Sequence, residues 1–468
     1  MVRTSQQIGL LHHMGGGNLG DDASLGAVMQ NIKTRWPDAK IVGFSMNPED
    51  TLTRHGIRCY PIRALTWRFG NKSSDGRKTF KEKVKSAVSK YRLLFRLLKA
   101  IYVVAIRPPR TFCREVVFLV KSFRVLRSCD LLVITGGGQL VESSGGPWTF
   151  LGGPWSFPYT IFKWMLLARL AHAKTIVLNV GAGPLVSLVG KGFVRGALSL
   201  SDYVSFRDEQ SRALVQQTGF RGKTHVFVDS AYSRDVSALT TRGTGKRRNG
   251  VVGLAPMAYG DPRLSAKHGH TTYDSYIQQL GLFGAWLVRN DYCVTLFCTD
   301  IGIDPPAVVD VEKIIRTCTG ISNDNSDVLC RVHQWTIEEL LSNMSSMDYV
   351  VTSRFHAVVF AHMLNKPVLA ISNHVKVNTL MNELGLSEYC VDADKCNSNL
   401  LAGTFVSLVS NRDEIKSRMA EKLASYKEKL SNQFDELFPS EVRSSVRKSS
   451  SNVGAAYCEP PVPPELGR

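Results

Sequence analysis

A short segment near residue 350 combines an arginine and a histidine at the end of a strand-like run. Tyr349-Val-Val-Thr352 is rich in β-branched residues, and Ser353, Arg354 and His356 follow it. Ligands of open α/β sheets bind at the carboxyl ends of the strands, where this pattern places the three polar side chains. A guanidinium offers a fixed fork to a carboxylate or phosphate, and an imidazole transfers protons near neutral pH. The segment predicts chemistry on a small anion, although a helix cap beside a surface histidine would give the same pattern.

Two glycine-rich turns offer further places for a ligand. Gly15-Gly-Gly-Asn-Leu-Gly-Asp-Asp-Ala23 lies between a predicted strand and a predicted helix, and Gly136-Gly-Gly138 ends another strand-like run. Glycine lets the backbone approach a ligand closely, and a helix start presents unpaired N–H groups to an anion. The first turn is neither a Walker A loop nor a complete dinucleotide fingerprint. Asp21 or Asp22 could cap the helix, and Asp21 could instead hold or deprotonate an acceptor hydroxyl.

Short apolar runs alternate with helical patterns along most of the chain, which is typical of parallel βαβ units. Strand-like runs lie at Ile8–His12, Ile41–Ser45, Asp130–Gly138, Thr175–Gly181, Tyr203–Arg207, Gly250–Ala255, Tyr292–Cys298, Asp348–Thr352 and Pro367–Ile371. A polar, glycine-rich stretch at Thr240–Gly250 interrupts the alternation. The sequence therefore predicts an α/β protein with two Rossmann-like domains facing each other across a cleft.

The length of 468 residues is sufficient for two domains with hydrophobic cores of their own. We expect a first domain at residues 1–235, a linker at 236–249 and a second domain at 250–435. A charged helical pattern, Arg412–Leu430, closes the second domain. The polar tail 440–468 ends in a proline-rich run and is predicted to be disordered.

The net charge of +18 is concentrated in residues 63–128, which contain eighteen lysines and arginines and three acidic residues. These charges alternate with apolar runs, a pattern that fits a solvated helix, a helix on an anionic membrane surface or a grip on an acidic acceptor. The apolar run Ala100–Ile106 is too short to span a bilayer. No nucleic-acid-binding module accompanies the basic stretch, so we expect no nucleic-acid partner.

The ten cysteines are scattered, with neither a CxxC pair nor the spacing of a zinc site. The chain opens on a polar run without the pattern of a signal peptide. These features predict free thiols, no metal, and a cytoplasmic protein that could lie on the inner face of a membrane.

Four motifs in register resemble the polysaccharide pyruvyl transferase family. They are Gly17-Asn-Leu-Gly-Asp21, Asp130–Gly138, Ser205-Phe-Arg-Asp-Glu-Gln-Ser211, and Thr352-Ser-Arg-Phe-His-Ala357 followed by Lys376. The resemblance covers roughly residues 8–400. The chain departs from the family pattern at Asn373-His374, where many members have a tyrosine before the lysine, and in the long basic stretch.

The resemblance implies a fold like that of GT-B glycosyltransferases and a role in exopolysaccharide biosynthesis. It also implies transfer of the enolpyruvyl unit of phosphoenolpyruvate onto sugar hydroxyls of a glycan or lipid-linked oligosaccharide, which forms a pyruvate ketal without a cofactor. The donor carries a carboxylate and a phosphate, which suit arginine forks.

The motif positions then assign roles to individual residues. Arg207 and Arg354 match the family's arginines and would hold the donor's anions, and His356 would be the general acid. The other expected donor contacts are Ser353, Lys376, Gly136, Gly137 and Gly138. Acceptor contacts are expected from Asn18, Asp21 and Gln139, with Asp21 also a candidate base.

Two other functions remain open from the residues alone. A nucleotide-sugar glycosyltransferase of the same architecture would use Arg354 and Lys376 on a diphosphate. A membrane-bound scaffold without activity would depend on the basic helices rather than on the cleft.

Overall fold

Two fully parallel β-sheets organise the chain. The computed structural model describes residues 6–12, 16–64, 107–142, 157–237, 249–264, 270–322, 327–332 and 336–439. Residues 65–106 of the predicted basic segment, most of the predicted linker and the predicted tail 440–468 lie outside the described residues.

The first sheet has seven strands in the order β3-β2-β1-β4-β5-β6-β7. Every neighbouring pair is parallel, so the carboxyl ends of all its strands lie along one edge. The strands are β1 (Gln7–Leu11), β2 (Lys40–Ser45), β3 (Cys59–Pro61), β4 (Leu131–Thr135), β5 (Lys174–Val180), β6 (Tyr203–Phe206) and β7 (His225–Val226).

Helices connect these strands and cover the sheet. They are α1 (Leu19–Arg35), α2 (Pro48–His55), α3 (Arg107–Leu126), α4 (Phe157–Leu170), α5 (Leu188–Ser199) and α6 (Glu209–Gln216). The amino terminus of α1 follows the first glycine-rich turn, and its cap is Asn18, whose side chain accepts a hydrogen bond from the Gly20 N–H. Asp21 and Asp22 lie inside the first turn, so neither of them is the cap.

The second sheet has six parallel strands in the order β10-β9-β8-β11-β12-β13. They are β8 (Val251–Ala255), β9 (Cys293–Leu296), β10 (Leu329–Arg331), β11 (Tyr349–Thr352), β12 (Val368–Ser372) and β13 (Cys390–Asp392). Its helices are α7 (His270–Arg289), α8 (Pro305–Thr319), α9 (Ile337–Ser345), α10 (Phe355–Met363), α11 (Val375–Glu383), α12 (Ser398–Ser410) and α13 (Arg412–Leu437).

The central strands are apolar along most of their length because helices cover both faces of each sheet. All residues of β4, β8, β11 and β12 are buried. Burial of this kind supplies most of the stability of the two cores. It also fixes the strand ends, from which the polar side chains of the cleft project.

The two halves of the chain meet at the first glycine-rich turn. Asn18 forms an antiparallel bridge with Asp300, in the segment after β9. The Leu19 N–H donates to Thr299 O over 2.9 Å, and the Ile301 N–H donates to Gly17 O over 2.8 Å. These backbone bonds hold the start of α1 against the second sheet's edge.

The long helix α13 also joins the two halves, because its end packs on the first sheet. The side-chain amides of Gln433 and Asn179 exchange two hydrogen bonds of 2.9 and 3.0 Å, and Arg35 forms a 2.9 Å ion pair with Asp435. Asn179 lies in β5, so this contact fixes the closing helix relative to the strand ends of the first sheet. In the described part of the chain, no helix is long and apolar enough to cross a membrane.

Candidate functional site

His356 lies where the two sheets face each other. It belongs to the first turn of α10, directly after β11, and its ring packs against the backbone of Gly20 in α1. A Cβ atom at Gly20 would lie only 2.0 Å from Cγ and Nδ1 of the ring. Glycine at this position therefore leaves room for the His356 ring of the second domain to pack against α1 of the first domain.

Asp229 is the charged partner of His356. It follows β7, its side chain is almost completely buried, and its Oδ2 lies 3.7 Å from His356 Nε2. Its Oδ1 accepts hydrogen bonds from Ser24 Oγ at 2.8 Å and from the Ala231 N–H at 3.0 Å. Burial alone would raise the pKa of Asp229, but His356, Arg207 and the Ala231 N–H together hold it well below the usual range. Asp229 is therefore a buried carboxylate that can balance the positive charge of an imidazolium.

Arg207 extends from the end of β6 into the same cluster. Its Nη1 donates to Asp229 Oδ2 at 3.4 Å, and its Nε lies 3.5 Å from Asp208 Oδ2. The guanidinium stacks on the Phe355 ring at 4.7 Å, and a Cβ at Gly181 would lie 2.8 to 3.0 Å from it. Nε is buried without a hydrogen-bond partner in the described structure. Arg207 is thus held in place with donor capacity still unused.

Lys376 approaches Arg207 from the second domain. It lies in the first turn of α11, and together with Arg207, Asp229 and Phe355 it lines a pocket between the domains. Burial, and after it the positive charge of Arg207, lowers the pKa of Lys376 to about 8. Two cations that face each other in this way favour the binding of an anion between them.

Asp21 lies close to the same cluster, on the first turn of α1. Its Oδ2 accepts a 3.2 Å hydrogen bond from Asn18 Nδ2, and a Cβ at Gly137 would lie 2.7 Å from Oδ1. Burial raises the pKa of Asp21 to about 6, against the opposing effect of His356. Asp21 can therefore gain or lose a proton near neutral pH, which is the property of a general acid or base.

The second glycine-rich turn lies beside Asp21. Gly136 and Gly137 have φ of +64° and +59°, so the left-handed turn at the end of β4 requires glycine. A Cβ at Gly138 would meet no atom within 4 Å, so this residue faces open space. Gln139 is fully buried, and its Nε2 donates to Thr135 O at 3.4 Å. Its Oε1 has no partner within the described ranges, which leaves an acceptor oxygen below the turn.

Ser353 and Arg354 form contacts within the second domain. Ser353 Oγ lies 2.7 Å from Tyr276 Oη, and both side chains are buried. Arg354 directs its fork at Asp304, with Nε to Oδ2 at 2.7 Å and Nη2 to Oδ1 at 2.5 Å. Asp300 lies 3.8 Å from Arg354 Nη2, and burial raises the pKa of Asp300 to about 6 despite this cation. One edge of the Arg354 guanidinium is therefore already engaged.

The predicted residues thus fall into two groups. In the first group, Arg207 and Lys376 line one pocket with Asp229, His356 lies beside Asp229, and Asp21 lies beside Gly137. Ser353 and Arg354 form the second group, with partners within the second domain. Asn18 caps α1 and bonds to Asp21.

The carboxylates Asp229, Asp300 and Asp304 are not among the residues that the sequence predicts for the site. The signal that could have revealed Asp229 is the run His225–Val228, an apolar strand-like segment that delivers an aspartate to the same edge of the sheet. Among the described residues, no group of three or more His, Cys, Asp or Glu is arranged to hold a metal ion.

Comparison with known proteins decides the family. The family model "Polysaccharide pyruvyl transferase" matches residues 18–375, which contain the four motifs that carried the resemblance except for Gly17 and Lys376 at the two ends. The chain belongs to the polysaccharide pyruvyl transferase family. Membership indicates a transferase that acts on polysaccharide and supports a role in polysaccharide pyruvylation. No curated protein sequence matches the chain significantly.

Solved structures share the architecture of this pyruvyl transferase family member at low identity. UDP-GlcNAc 2-epimerase from Neisseria meningitidis, bound to UDP-GlcNAc, is 10% identical with a TM-score of 0.50, over 88% of this chain and 94% of that one. Another UDP-N-acetylglucosamine 2-epimerase is 12% identical with a TM-score of 0.50, over 90% and 91%. A spinosyn rhamnosyltransferase complexed with thymidine diphosphate is 11% identical with a TM-score of 0.46, over 90% and 96%. The predicted GT-B-like α/β fold is confirmed.

The departure from the family pattern before Lys376 has a structural role in this member of the family. His374 is the cap of α11, and its Nδ1 accepts a 3.2 Å hydrogen bond from the Lys376 N–H. Burial, Lys376 and Arg207 lower the pKa of His374, which favours the neutral ring that this bond requires. The histidine thus fixes the backbone from which Lys376 reaches Arg207.

Proposed function

We propose that the protein transfers the enolpyruvyl unit of phosphoenolpyruvate to two hydroxyls of a glycan, with formation of a pyruvate ketal and release of phosphate. The observation that carries the proposal is the buried cluster of His356, Asp229 and Arg207, with Lys376 opposite it. This cluster joins a proton donor to an anion site at the point where the two domains of the family fold meet.

The donor's anionic groups are assigned to Arg207 and Lys376. Phosphoenolpyruvate needs at least two cations, and these two side chains come from different domains to face one space. Binding of an anion between them relieves the repulsion that lowers the pKa of Lys376. Arg354 is left out of this assignment, because Asp304 engages its Nε and Nη2.

His356 is the acid that starts the reaction. Its proton moves to C3 of the donor, and the electron pair of the C2–C3 double bond forms the new C–H bond, which leaves C2 oxocarbenium-like. Burial would raise the pKa of Asp229, but His356 and Arg207 hold this pKa well below the usual range. Asp229 therefore stays ionised beside the ring. Charge balance of this kind is how a buried carboxylate prepares a histidine for proton transfer.

The acceptor is assigned to the side of the cleft formed by the two glycine-rich turns. A first sugar hydroxyl attacks C2, and Asp21, whose pKa burial raises to about 6, takes its proton. The C2–O bond to phosphate then breaks, the phosphate leaves with that electron pair, and the proton on Asp21 passes to it. A second hydroxyl attacks C2, closes the ketal and returns its proton to His356. Asn18 and Gly138 are assigned to the sugar, and the buried Gln139 supports the turn that carries Gly138.

The contacts of Arg354 weigh against the nucleotide-sugar alternative. A diphosphate at the strand ends of the second sheet would require the Arg354 fork, which Asp304 already occupies, and Asp300 lies beside it. Two carboxylates at this position repel a diphosphate. Phosphoenolpyruvate bound to Arg207 and Lys376 would not have to displace Asp304 from Arg354, because Arg207 and Lys376 lie outside the Arg354–Asp304 ion pair.

The test is phosphate release from phosphoenolpyruvate by the purified chain, with and without glycan acceptors, combined with the mass of the product. We expect release only with a suitable acceptor, and a product heavier by one pyruvate less water. Arg207→Gln should abolish turnover, whereas Arg169→Gln, at an exposed position with a weak 3.5 Å ion pair, should leave it unchanged. Glycosyl transfer from a nucleotide sugar to the same acceptors, without phosphate release from phosphoenolpyruvate, would overturn the proposal.

A further inference from the structure

Helix α3 carries an exposed face of valines and basic residues. Val116, Val117 and Val120 are 41%, 53% and 46% exposed. Residues three or four positions apart share one side of a helix, so the valines lie together with their exposed neighbours. The outer face of α3, with Arg127 directly after the helix, consists of Cys113, Arg114, Val116, Val117, Val120, Lys121, Arg124 and Arg127, all of them exposed.

The opposite face of α3 is fully used within the protein. Phe118 packs edge-on against Trp164 of α4, with the ring centroids 6.1 Å apart. Glu115, the only acidic residue of the helix, forms a 2.6 Å ion pair with Lys163 on this inner side. The outer face is therefore free of acidic residues, and its positive charge is not neutralised by the helix itself.

The position of α3 relates this face to the cleft. Trp164, which contacts Phe118, donates its indole N–H to Ile62 O, directly after β3 ends. The middle of α3 thus lies level with the carboxyl ends of the strands, on the flank of the first domain. A partner surface that contacts the outer face of α3 would therefore lie close to the opening of the cleft.

We propose that the outer face of α3 lies on an anionic membrane surface, with the valines in the headgroup region and the basic side chains on lipid phosphates. Charge complementarity selects this partner, because four cations surround the valines and no exposed acid interrupts them. Nucleic acid would use the cations but would gain nothing from three exposed valines. In the sequence, the stretch 63–106 directly before the helix is also rich in lysine and arginine. This inference does not depend on the identity of the donor.

The test is sedimentation of the full chain with vesicles of phosphatidylcholine alone or with about a third of phosphatidylglycerol. We expect binding only to the anionic vesicles and weaker binding as salt rises. Each basic residue near such a surface contributes about 1 kcal/mol, or about fivefold in affinity. Lys121→Gln, Arg124→Gln and Arg127→Gln together should therefore weaken binding roughly hundredfold, and Val117→Ser with Val120→Ser should weaken it as well.

The matched control removes the same charge from exposed lysines of the second domain, by Lys313→Gln, Lys427→Gln and Lys429→Gln. This variant should bind like the unchanged protein. A second readout is alkylation of Cys113, which lies at the amino-terminal end of the outer face and should be protected by anionic vesicles, whereas Cys318 of α8 should not be protected. Equal binding of the α3 and control variants, an unprotected Cys113, or α3-dependent binding to a DNA duplex rather than to vesicles would each overturn the proposal.

Discussion

Gly20→Ala should displace the His356 ring while the fold stays about as stable as before. Alanine is a better helix former than glycine, by about 1 kcal/mol in a helix interior. At this position, however, the added Cβ would lie 2.0 Å from the His356 ring. Ordinary van der Waals contact begins near 3.4 Å, so the ring must move by about 1.4 Å.

The displacement should reduce turnover strongly. A shift of about 1 Å in a reacting group can cost about a hundredfold in rate, and loss of a general acid costs about 10² to 10⁴. His356 would also lose its position beside Asp229, 3.7 Å away in the present arrangement. We therefore expect Gly20→Ala to lower kcat at least a hundredfold, with a thermal midpoint close to that of the unchanged chain.

The assay is phosphate release from phosphoenolpyruvate under saturating donor and acceptor, together with thermal unfolding of the same preparations. Gly403→Ala is the matched control, since Gly403 is also helical but an added Cβ there would meet no atom within 4 Å. It should keep full activity and melt at or slightly above the original temperature. A Gly20→Ala protein with kcat within threefold of the control would refute the reasoning that His356 must occupy this position.

Three further predictions concern charge. Because burial raises the pKa of Asp21 to about 6, ionisation of this buried carboxyl destabilises the fold as pH rises from about 4 through 6. Asp21→Asn should therefore raise the free energy of unfolding by about 1 kcal/mol at pH 7.5 but not at pH 4, as measured by urea unfolding. An equal gain at both pH values would contradict this. Burial and Arg207 lower the pKa of Lys376 to about 8, so kcat/KM for the donor should fall above pH 8 as the lysine loses its charge. Lys376→Arg should move this fall in kcat/KM to higher pH, because arginine stays charged. An unchanged pH profile would exclude Lys376 from donor binding. Asp304→Ala removes the carboxylate bound to Arg354 and should lower the free energy of unfolding by about 3 kcal/mol. A decrease of less than about 1 kcal/mol would show that the Arg354–Asp304 ion pair does not stabilise the fold.

The strands with long apolar runs were predictable from the sequence. The run Tyr349–Thr352 coincides with β11, although the longer prediction Asp348–Thr352 begins one residue early, and the first predicted strand, Ile8–His12, differs from β1 by one residue at each end. Complete burial makes such runs continuous in apolar residues, so pattern alone identifies them. Short edge strands such as β7 and β10 have two or three residues, too few to produce any periodicity.

The start of α1 shows where local chemistry was misread. The sequence predicted a helix from Ala23 with Asp21 or Asp22 as a possible cap, but the helix begins at Leu19 with Asn18 as the cap. Asparagine and aspartate are both good caps, so propensity could not choose among the three residues. The bridge between Asn18 and Asp300 decides the position, and it depends on contact with the second domain.

The charged partners of the predicted residues were not predictable. His356 and Arg207 were identified from their motifs, but Asp229, which lies between them, is 127 residues before His356 in the chain. Arg354 was expected to be free for an anion, and its fork is taken by Asp304, whose place in the sequence carries no motif. Pairings of this kind arise from tertiary packing and are invisible to spacing rules.

The most direct test of the central claim is to run the reaction in deuterium oxide and measure the pyruvylated product by mass spectrometry. If an enzyme acid such as His356 protonates C3 of phosphoenolpyruvate, each pyruvyl methyl group acquires one solvent deuterium, and one phosphate is released per group transferred. The same measurement on Gly20→Ala should show the loss of both signals together. A pyruvylated product whose methyl group carries no solvent deuterium, or the absence of any acceptor-dependent phosphate release, would contradict the account.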